Sequence, residues 1–211
     1  VKRDGLMSIA SATVHSLMRS HPLKLHPDLK VQIMLISGQN RYARNKKIGL
    51  DPFSGFSIGV FPIYPKSRGS THLRSTNPLD TPIIKANYLS EKEDQDLTIK
   101  GLRLVRKIAS QSSIVSHIIR EVRPGLEIKD DYGLLDYARR NGQTSWHTIS
   151  TCRMGKSKMD VVNYKLQVYG TENLRVVDSS IMPNMPTSNT NVPSIMIGEK
   201  GAYIILENAK K

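Results

Sequence analysis

Short apolar stretches separated by turn-forming residues constrain the fold of this chain more than any other feature. The stretch 55–63 alternates Phe56, Ile58 and Val60 on one face, as a half-buried strand does. Glycine, proline and asparagine fill the gaps between the stretches, which is typical of turns. Strands are predicted over 31–36, 55–63, 70–75 and 82–88. Short strands joined by turns favour an antiparallel sheet, and with the helices below they predict an α+β fold.

Four segments have helical patterns. Leu6, Ile9, Ala10, Val14 and Leu17 predict a helix over 6–20. Ser90-Glu91-Lys92-Glu93 forms a capping-box pattern, with Ser90 as the predicted N-cap of a helix whose apolar stripe ends with Ile108. A further helix is predicted over 131–140, ending at Asn141-Gly142. The last helix has Pro193 in its first turn.

The order of predicted elements at the end of the chain differs from that in its middle. Residues 174–177 predict one short strand that ends at Asp178, and a loop leads from there to the last helix. We therefore expect residues 1–140 to form a sheet-based domain with an N-terminal connecting helix. Residues 141–211 are expected to form a strand-helix segment that joins another domain.

Composition excludes several classes of protein. The chain has 211 residues, of which 38% are hydrophobic, enough to build a core. No apolar run approaches the roughly 18 residues that cross a bilayer. The net charge is +13, but the basic residues are scattered and no nucleic-acid motif accompanies them, so no nucleic-acid partner is predicted. A single cysteine excludes an internal disulfide. The start, which lacks a methionine, predicts a fragment or a processed product.

His147 is the first candidate for chemistry. It lies in a stretch rich in serine and threonine that offers no carboxylate partner, which argues against a hydrolase triad. No histidine or acid stands at a metal-ligand spacing from it, so no metal site is predicted. A structural or merely exposed histidine remains the alternative.

Asn189 and Asn191 are the second candidate. They precede the last helix, where asparagine commonly caps the first turn. A helix start also presents free N–H groups and a positive dipole end, which favour a ligand that carries or gains negative charge. Asp178 ends an apolar strand, where an acid is usually a turn former or a helix cap.

Three segments together resemble one enzyme family. They are PKSRGSTHLRSTNPLDTPIIKANYL (65–89), WHTISTCRMG (146–155) and LQVYGTENLRVVDSSIMPNMPTSNTNVPSIMIGEKGA (166–202). They resemble the C-terminal portion of the glucose-methanol-choline (GMC) oxidoreductases, most closely the insect glucose-dehydrogenase-like branch. The resemblance implies a substrate-binding domain with a six-stranded antiparallel sheet and helices on one face. It also implies that the last segment returns to a Rossmann-like FAD-binding domain.

The resemblance further implies a flavin-dependent oxidation of an alcohol or sugar. His147 would act as general base while hydride passes from the substrate carbon to flavin N5, and Asn189 would orient the substrate hydroxyl. A neutral imidazole suits the role of base near neutral pH. The electron acceptor would be oxygen or a quinone. The residues expected beside the FAD are Asp178, Ser179, Asn191, Val192 and Pro193.

One family feature is missing from the sequence. None of the fourteen glycines forms the G-x-G-x-x-G that cradles the ADP part of FAD. We therefore expect a C-terminal fragment that alone binds FAD weakly or not at all. A catalytically silent binding or structural protein of the same family is the alternative, and an ecdysteroid-type alcohol is one alternative substrate.

Overall fold

The computed structural model describes residues 12–40, 49–187 and 189–209. They divide into two compact units that are interleaved along the chain. The first unit comprises the residues up to Ser67 together with Tyr88–Gln143, and the second comprises Arg68–Asn87 together with the chain from Thr144 onward. The expected division into 1–140 and 141–211 concerns domain roles and stays a prediction. The structure assigns residues 68–87 to the second unit.

A three-stranded antiparallel sheet forms the centre of the first unit. Strand β2 lies in the middle and pairs with β1 on one side and β5 on the other. Strands β3 and β4 form a separate antiparallel pair. The strands are β1 (Val14–Met18), β2 (Leu29–Met34), β3 (Gly38–Asn40), β4 (Gly49–Leu50) and β5 (Ser57–Pro62).

Helix α1 (Lys92–Ala109) covers this sheet. Gly101 allows the close approach, because a Cβ there would lie 2.8 Å from Val60 Cγ2. The short helix α2 (Ser112–Val115) follows, and α3 (Asp131–Asn141) packs on α1. The buried apolar residues of this unit are Leu29, Val31, Ile63, Ile99 and Leu134.

Asp94 ties the start of α1 to the loop before it. Its side chain, in a residue only 3% exposed, accepts hydrogen bonds from the backbone N–H groups of Lys66 (2.8 Å) and Ser67 (2.6 Å) and from the Ser67 hydroxyl (2.5 Å). The predicted cap at Ser90 is wrong. The helix begins at Lys92, and Glu91 occupies the N-cap position without a side-chain bond.

The second unit combines a small hairpin with a long C-terminal helix. Strands β6 (Ser70–His72) and β7 (Ile83–Lys85) pair antiparallel, and α4 spans Asn191–Ala209. A 3-10 turn, Ser179–Ile181, lies between them in sequence. The core residues are Val162, Leu166, Ile181, Met182 and Ile197. No helix among the described residues is long and apolar enough to cross a membrane.

The structure confirms most of the predicted elements and corrects two. Each of the four predicted strand segments overlaps a strand, and the last three predicted helices form. The helix over 6–20 is wrong in its described part, because Val14–Met18 is strand β1; residues 1–11 lie outside the described residues. The strand over 174–177 is reduced to a single bridge between Gln167 and Arg175. The six-stranded sheet is not confirmed, since the described strands divide among three sheets.

Candidate functional site

His147 leads into a segment that is fixed against the core of the second unit. The segment 148–154 runs beside the 3-10 turn, where Ile181 and Met182 are buried. Four hydrogen bonds join the two segments: Ser179 Oγ to Thr148 O (3.1 Å), Ser150 Oγ to Met182 O (2.6 Å), Cys152 N to Ser180 O (3.0 Å) and Met154 N to Ile181 O (2.9 Å). The backbone that carries His147 is therefore held by ordered, partly buried partners.

Left-handed backbone conformations occur on both sides of His147. Trp146 has φ +57° and Ser150 has φ +69°, backbone angles that residues other than glycine seldom adopt. The Trp146 N–H donates to the Thr144 hydroxyl at 3.1 Å, and the Ser150 hydroxyl donates to Met182 O. Such strain persists where surrounding contacts enforce it, and it often lies at functional sites.

The imidazole of His147 contacts the start of α4. Its Nδ1 lies 2.9 Å from the hydroxyl oxygen of Thr190 and 3.5 Å from the Thr190 backbone nitrogen. Thr190 is 8% exposed, and its carbonyl accepts the Ser194 N–H at 2.9 Å, one helical turn further along. The structure thus brings His147 to Thr190, the residue between Asn189 and Asn191.

The two asparagines flank that contact and are both exposed. Asn191 is the first residue of α4, and Thr190 occupies the position directly before the helix. The capping interpretation would place an asparagine at that position, and the structure does not. The exposed helix start remains a positive electrostatic end suited to a ligand with negative charge.

The other predicted cofactor residues fall into two groups. Asp178 accepts the Ser180 N–H at 2.7 Å and caps the 3-10 turn, and Ser179 bonds the segment after His147. In the first turn of α4, Val192 is 72% exposed and Pro193 is half-buried. Asn191 and Val192 thus present an amide and an apolar side chain at the helix start, which fits a planar, mostly apolar ring with polar edges.

Thr190 is the site residue that the sequence reasoning missed. Its position between two candidate asparagines was a signal, but burial of a threonine cannot be read from a polar loop. Among the described residues, no group of three histidine, cysteine or acidic side chains could hold a metal ion.

The region that contains the hairpin and the candidate site matches a known protein family. The family model described as GMC oxidoreductase matches residues 65–198, which include the hairpin, His147 and the start of α4. The chain belongs to the GMC oxidoreductase family, whose members are FAD-dependent flavoproteins.

Curated relatives carry this region within longer chains. The alcohol dehydrogenase [acceptor] of Pseudomonas putida is 38% identical over 205 residues, 97% of this chain and 36% of the relative. The oxygen-dependent choline dehydrogenase of Staphylococcus aureus is 39% identical over 154 residues, 72% of this chain and 27% of the relative. The chain therefore spans about a third of the length of the relatives it matches.

Solved structures agree with the fold. Pyridoxine 4-oxidase from Mesorbium loti superposes with a TM-score of 0.77 at 26% identity, covering 90% of this chain and 36% of that one. A fungal aryl-alcohol oxidase gives 0.71 at 27% identity, covering 88% and 28%. Formate oxidase from Aspergillus oryzae gives 0.75 at 24% identity over 90% and 33%, a likeness of fold alone.

Proposed function

We propose that this chain is the C-terminal part of an FAD-dependent enzyme that oxidises a CH–OH group of an alcohol or sugar, with His147 as general base. The observation that carries the proposal is the contact of His147 Nδ1 with Thr190 at the start of α4. This contact holds the Nδ1 side of the imidazole ring in place. None of the described residues hydrogen-bonds the other ring nitrogen, Nε2, which can then face a substrate.

The proposed roles follow from the chemistry of the side chains. Bound FAD would supply the acceptor for the hydride that leaves the substrate carbon. His147 takes the hydroxyl proton at Nε2, so that the C–H and O–H bonds are lost together and a carbonyl forms. Asn189 donates its amide N–H to the substrate oxygen, orienting it and stabilising the charge that develops there.

The cofactor would be held at two places in the second unit. Asn191, Val192 and Pro193 would pack beside the flavin ring, where the positive end of α4 favours negative charge. Asp178 and Ser179 would lie beside the FAD at the 3-10 turn. No phosphate cradle is encoded in the sequence, so the isolated chain is expected to bind FAD weakly or not at all.

The substrate and the domain roles belong to the same proposal. Relatives bear the names alcohol dehydrogenase and choline dehydrogenase, which supports a small hydroxylated substrate here. The proposal includes membership of the insect glucose-dehydrogenase-like branch of the family. An ecdysteroid-type alcohol is an alternative substrate. Oxygen or a quinone would take the electrons. Residues 1–140 would serve the substrate-binding domain, and 141–211 would return to the FAD-binding domain.

The test is His147→Ala in the full-length flavoenzyme that carries this sequence. Loss of a general base lowers kcat by about 10²–10⁴-fold, while the bound flavin absorbance stays at the parent level. His72→Ala is the matched control, because His72 is an exposed histidine on β6 of the same unit. Undiminished alcohol oxidation by the His147 variant would reject the proposal and favour a catalytically silent family member.

A further inference from the structure

We infer that Thr190 is a positioning residue whose hydroxyl accepts a hydrogen bond from Nδ1–H of His147 and so keeps Nε2 unprotonated and available as the base. The inference rests on the proposed function, because it assigns the tautomer that this function needs. Thr190 acts through His147 and touches no reacting atom.

The first step is the burial of the threonine. Thr190 is 8% exposed, one of three buried polar or charged residues among those the structure describes, with Asp28 and Asp94. Buried hydroxyls are hydrogen-bonded almost without exception. The described partner of this hydroxyl is His147 Nδ1 at 2.9 Å, an ordinary hydrogen-bond length. The pair joins residues 43 positions apart in the sequence.

The second step is the direction of the bond. The Thr190 backbone N–H also points to Nδ1, but at 3.5 Å it lies beyond the usual range for a hydrogen bond. The hydroxyl contact is the shorter of the two, but its length does not fix its direction, and the longer contact alone would make Nδ1 an acceptor. The direction from Nδ1–H to the Thr190 oxygen is inferred from the proposed base, which needs its lone pair on Nε2. A hydroxyl can either donate or accept, whereas a backbone N–H can only donate.

The third step follows the proton. When Nε2 takes a proton, the ring becomes an imidazolium and both nitrogens must donate. Nδ1 then needs an acceptor, and the Thr190 oxygen is in place to be one without any movement. If Nδ1–H is already donated to Thr190 before the reaction, Nε2 holds a lone pair and no tautomer change has to precede proton transfer. A neutral hydroxyl thus occupies the place that a carboxylate takes in a hydrolase triad.

The experiment measures the tautomer of His147 directly in the 211-residue chain. Long-range ¹H–¹⁵N correlation spectra, recorded at a pH where imidazole is neutral, distinguish Nδ1–H from Nε2–H. We expect mainly Nδ1–H in the parent. In Thr190→Val the ratio of Nδ1–H to Nε2–H falls about fivefold, the loss expected for one ordinary hydrogen bond. Thr190→Ser restores the ratio.

Thr171→Val is the matched control, because the Thr171 hydroxyl bonds the Val168 carbonyl at the surface of the same unit. It leaves the His147 signals unchanged. A parent spectrum dominated by Nε2–H would overturn the inference with no variant needed, as would an unchanged ratio in a folded Thr190→Val protein.

Kinetics of the full-length flavoenzyme separate this inference from the proposed function. Thr190→Val lowers kcat with little change in KM, and Thr190→Ser recovers it. If His147→Ala leaves oxidation intact, the proposed function fails whatever the tautomer is. If His147→Ala abolishes oxidation and the tautomer ratio ignores Thr190, the positioning role alone fails.

Discussion

Alanine at two glycines of α4 is expected to change stability in opposite directions. A Cβ at Gly201 would lie 2.3 Å from Val177 Cγ1 and 3.3 Å from Leu166 Cδ1. Carbon atoms in contact prefer about 3.5–4.0 Å, so the first of these is an overlap of more than about 1 Å. At Gly198, three residues earlier, no heavy atom lies within 4 Å of the same added carbon.

The magnitudes follow from two opposing effects. Replacing glycine by alanine inside a helix stabilises it by about 0.5–1 kcal/mol, because the unfolded chain loses freedom. This is the whole effect expected for Gly198→Ala. Overfilling a packed site costs about 1–3 kcal/mol, because Val177 and Leu166 would have to move. Gly201→Ala is therefore expected to lower the free energy of unfolding by about 1–2 kcal/mol.

Urea unfolding followed by the fluorescence of Trp146 measures both variants. Trp146 is the single tryptophan of the chain and lies in the second unit, so its signal reports the unit that contains α4. Each glycine serves as the control for the other. A Gly201→Ala protein as stable as the parent would refute the close contact with Val177, and a destabilised Gly198→Ala would refute the open surroundings of Gly198.

Two further predictions concern acidic residues. Asp94→Ala removes the acceptor of two backbone N–H groups and one hydroxyl, and it is expected to lower the free energy of unfolding by about 2–3 kcal/mol. Asp96 lies on the same helix in an exposed ion pair with Lys92, so Asp96→Ala is expected to change the free energy of unfolding by less than about 1 kcal/mol. Circular dichroism in urea compares them, and equal losses would contradict the role of Asp94. The Ser157 N–H and the Arg153 guanidinium lower the pKa of the Asp160 carboxyl below its ordinary 3.8. The folded state then binds fewer protons than the unfolded one, so this contribution to stability is present above pH 3.8 and is lost as the pH falls through the folded pKa. Thermal unfolding between about pH 6 and pH 2 should show a smaller acid loss for Asp160→Asn than for the parent; parallel curves would contradict it.

Elements with a strong local signal could be predicted from the sequence. The strand at 57–62 and helices α1 and α3 have alternation or helical periodicity that needs no distant partner. Strand β1 has no such signal. Its five residues are mostly exposed, and its pairing with Leu29–Met34 decides the structure, whereas the apolar spacing alone suggested a helix.

The failed cap at Ser90 has a similar cause. The Ser67 hydroxyl, 24 residues before Glu91, accepts the Glu91 N–H at 3.2 Å and donates to Asp94. Ser67, which is distant in sequence, thus makes hydrogen bonds at the start of α1, where the local motif predicted that Ser90 would do so. In the site, the order of motifs predicted roles for His147 and the asparagines, and these roles stay predictions. The contact with Thr190 required the fold.

The interleaving of the two units has a consequence for how the chain can be divided or assembled. The first unit is complete only when residue 143 has been made, and the second unit holds only the residues of its hairpin segment until then. No single cut of the backbone separates the units, because a cut after Ser67 strands Tyr88–Gln143 on the wrong side. During synthesis, residues 68–87 are therefore made before the rest of the second unit. They cannot pack with that unit until the chain from Thr144 to α4 has also been made.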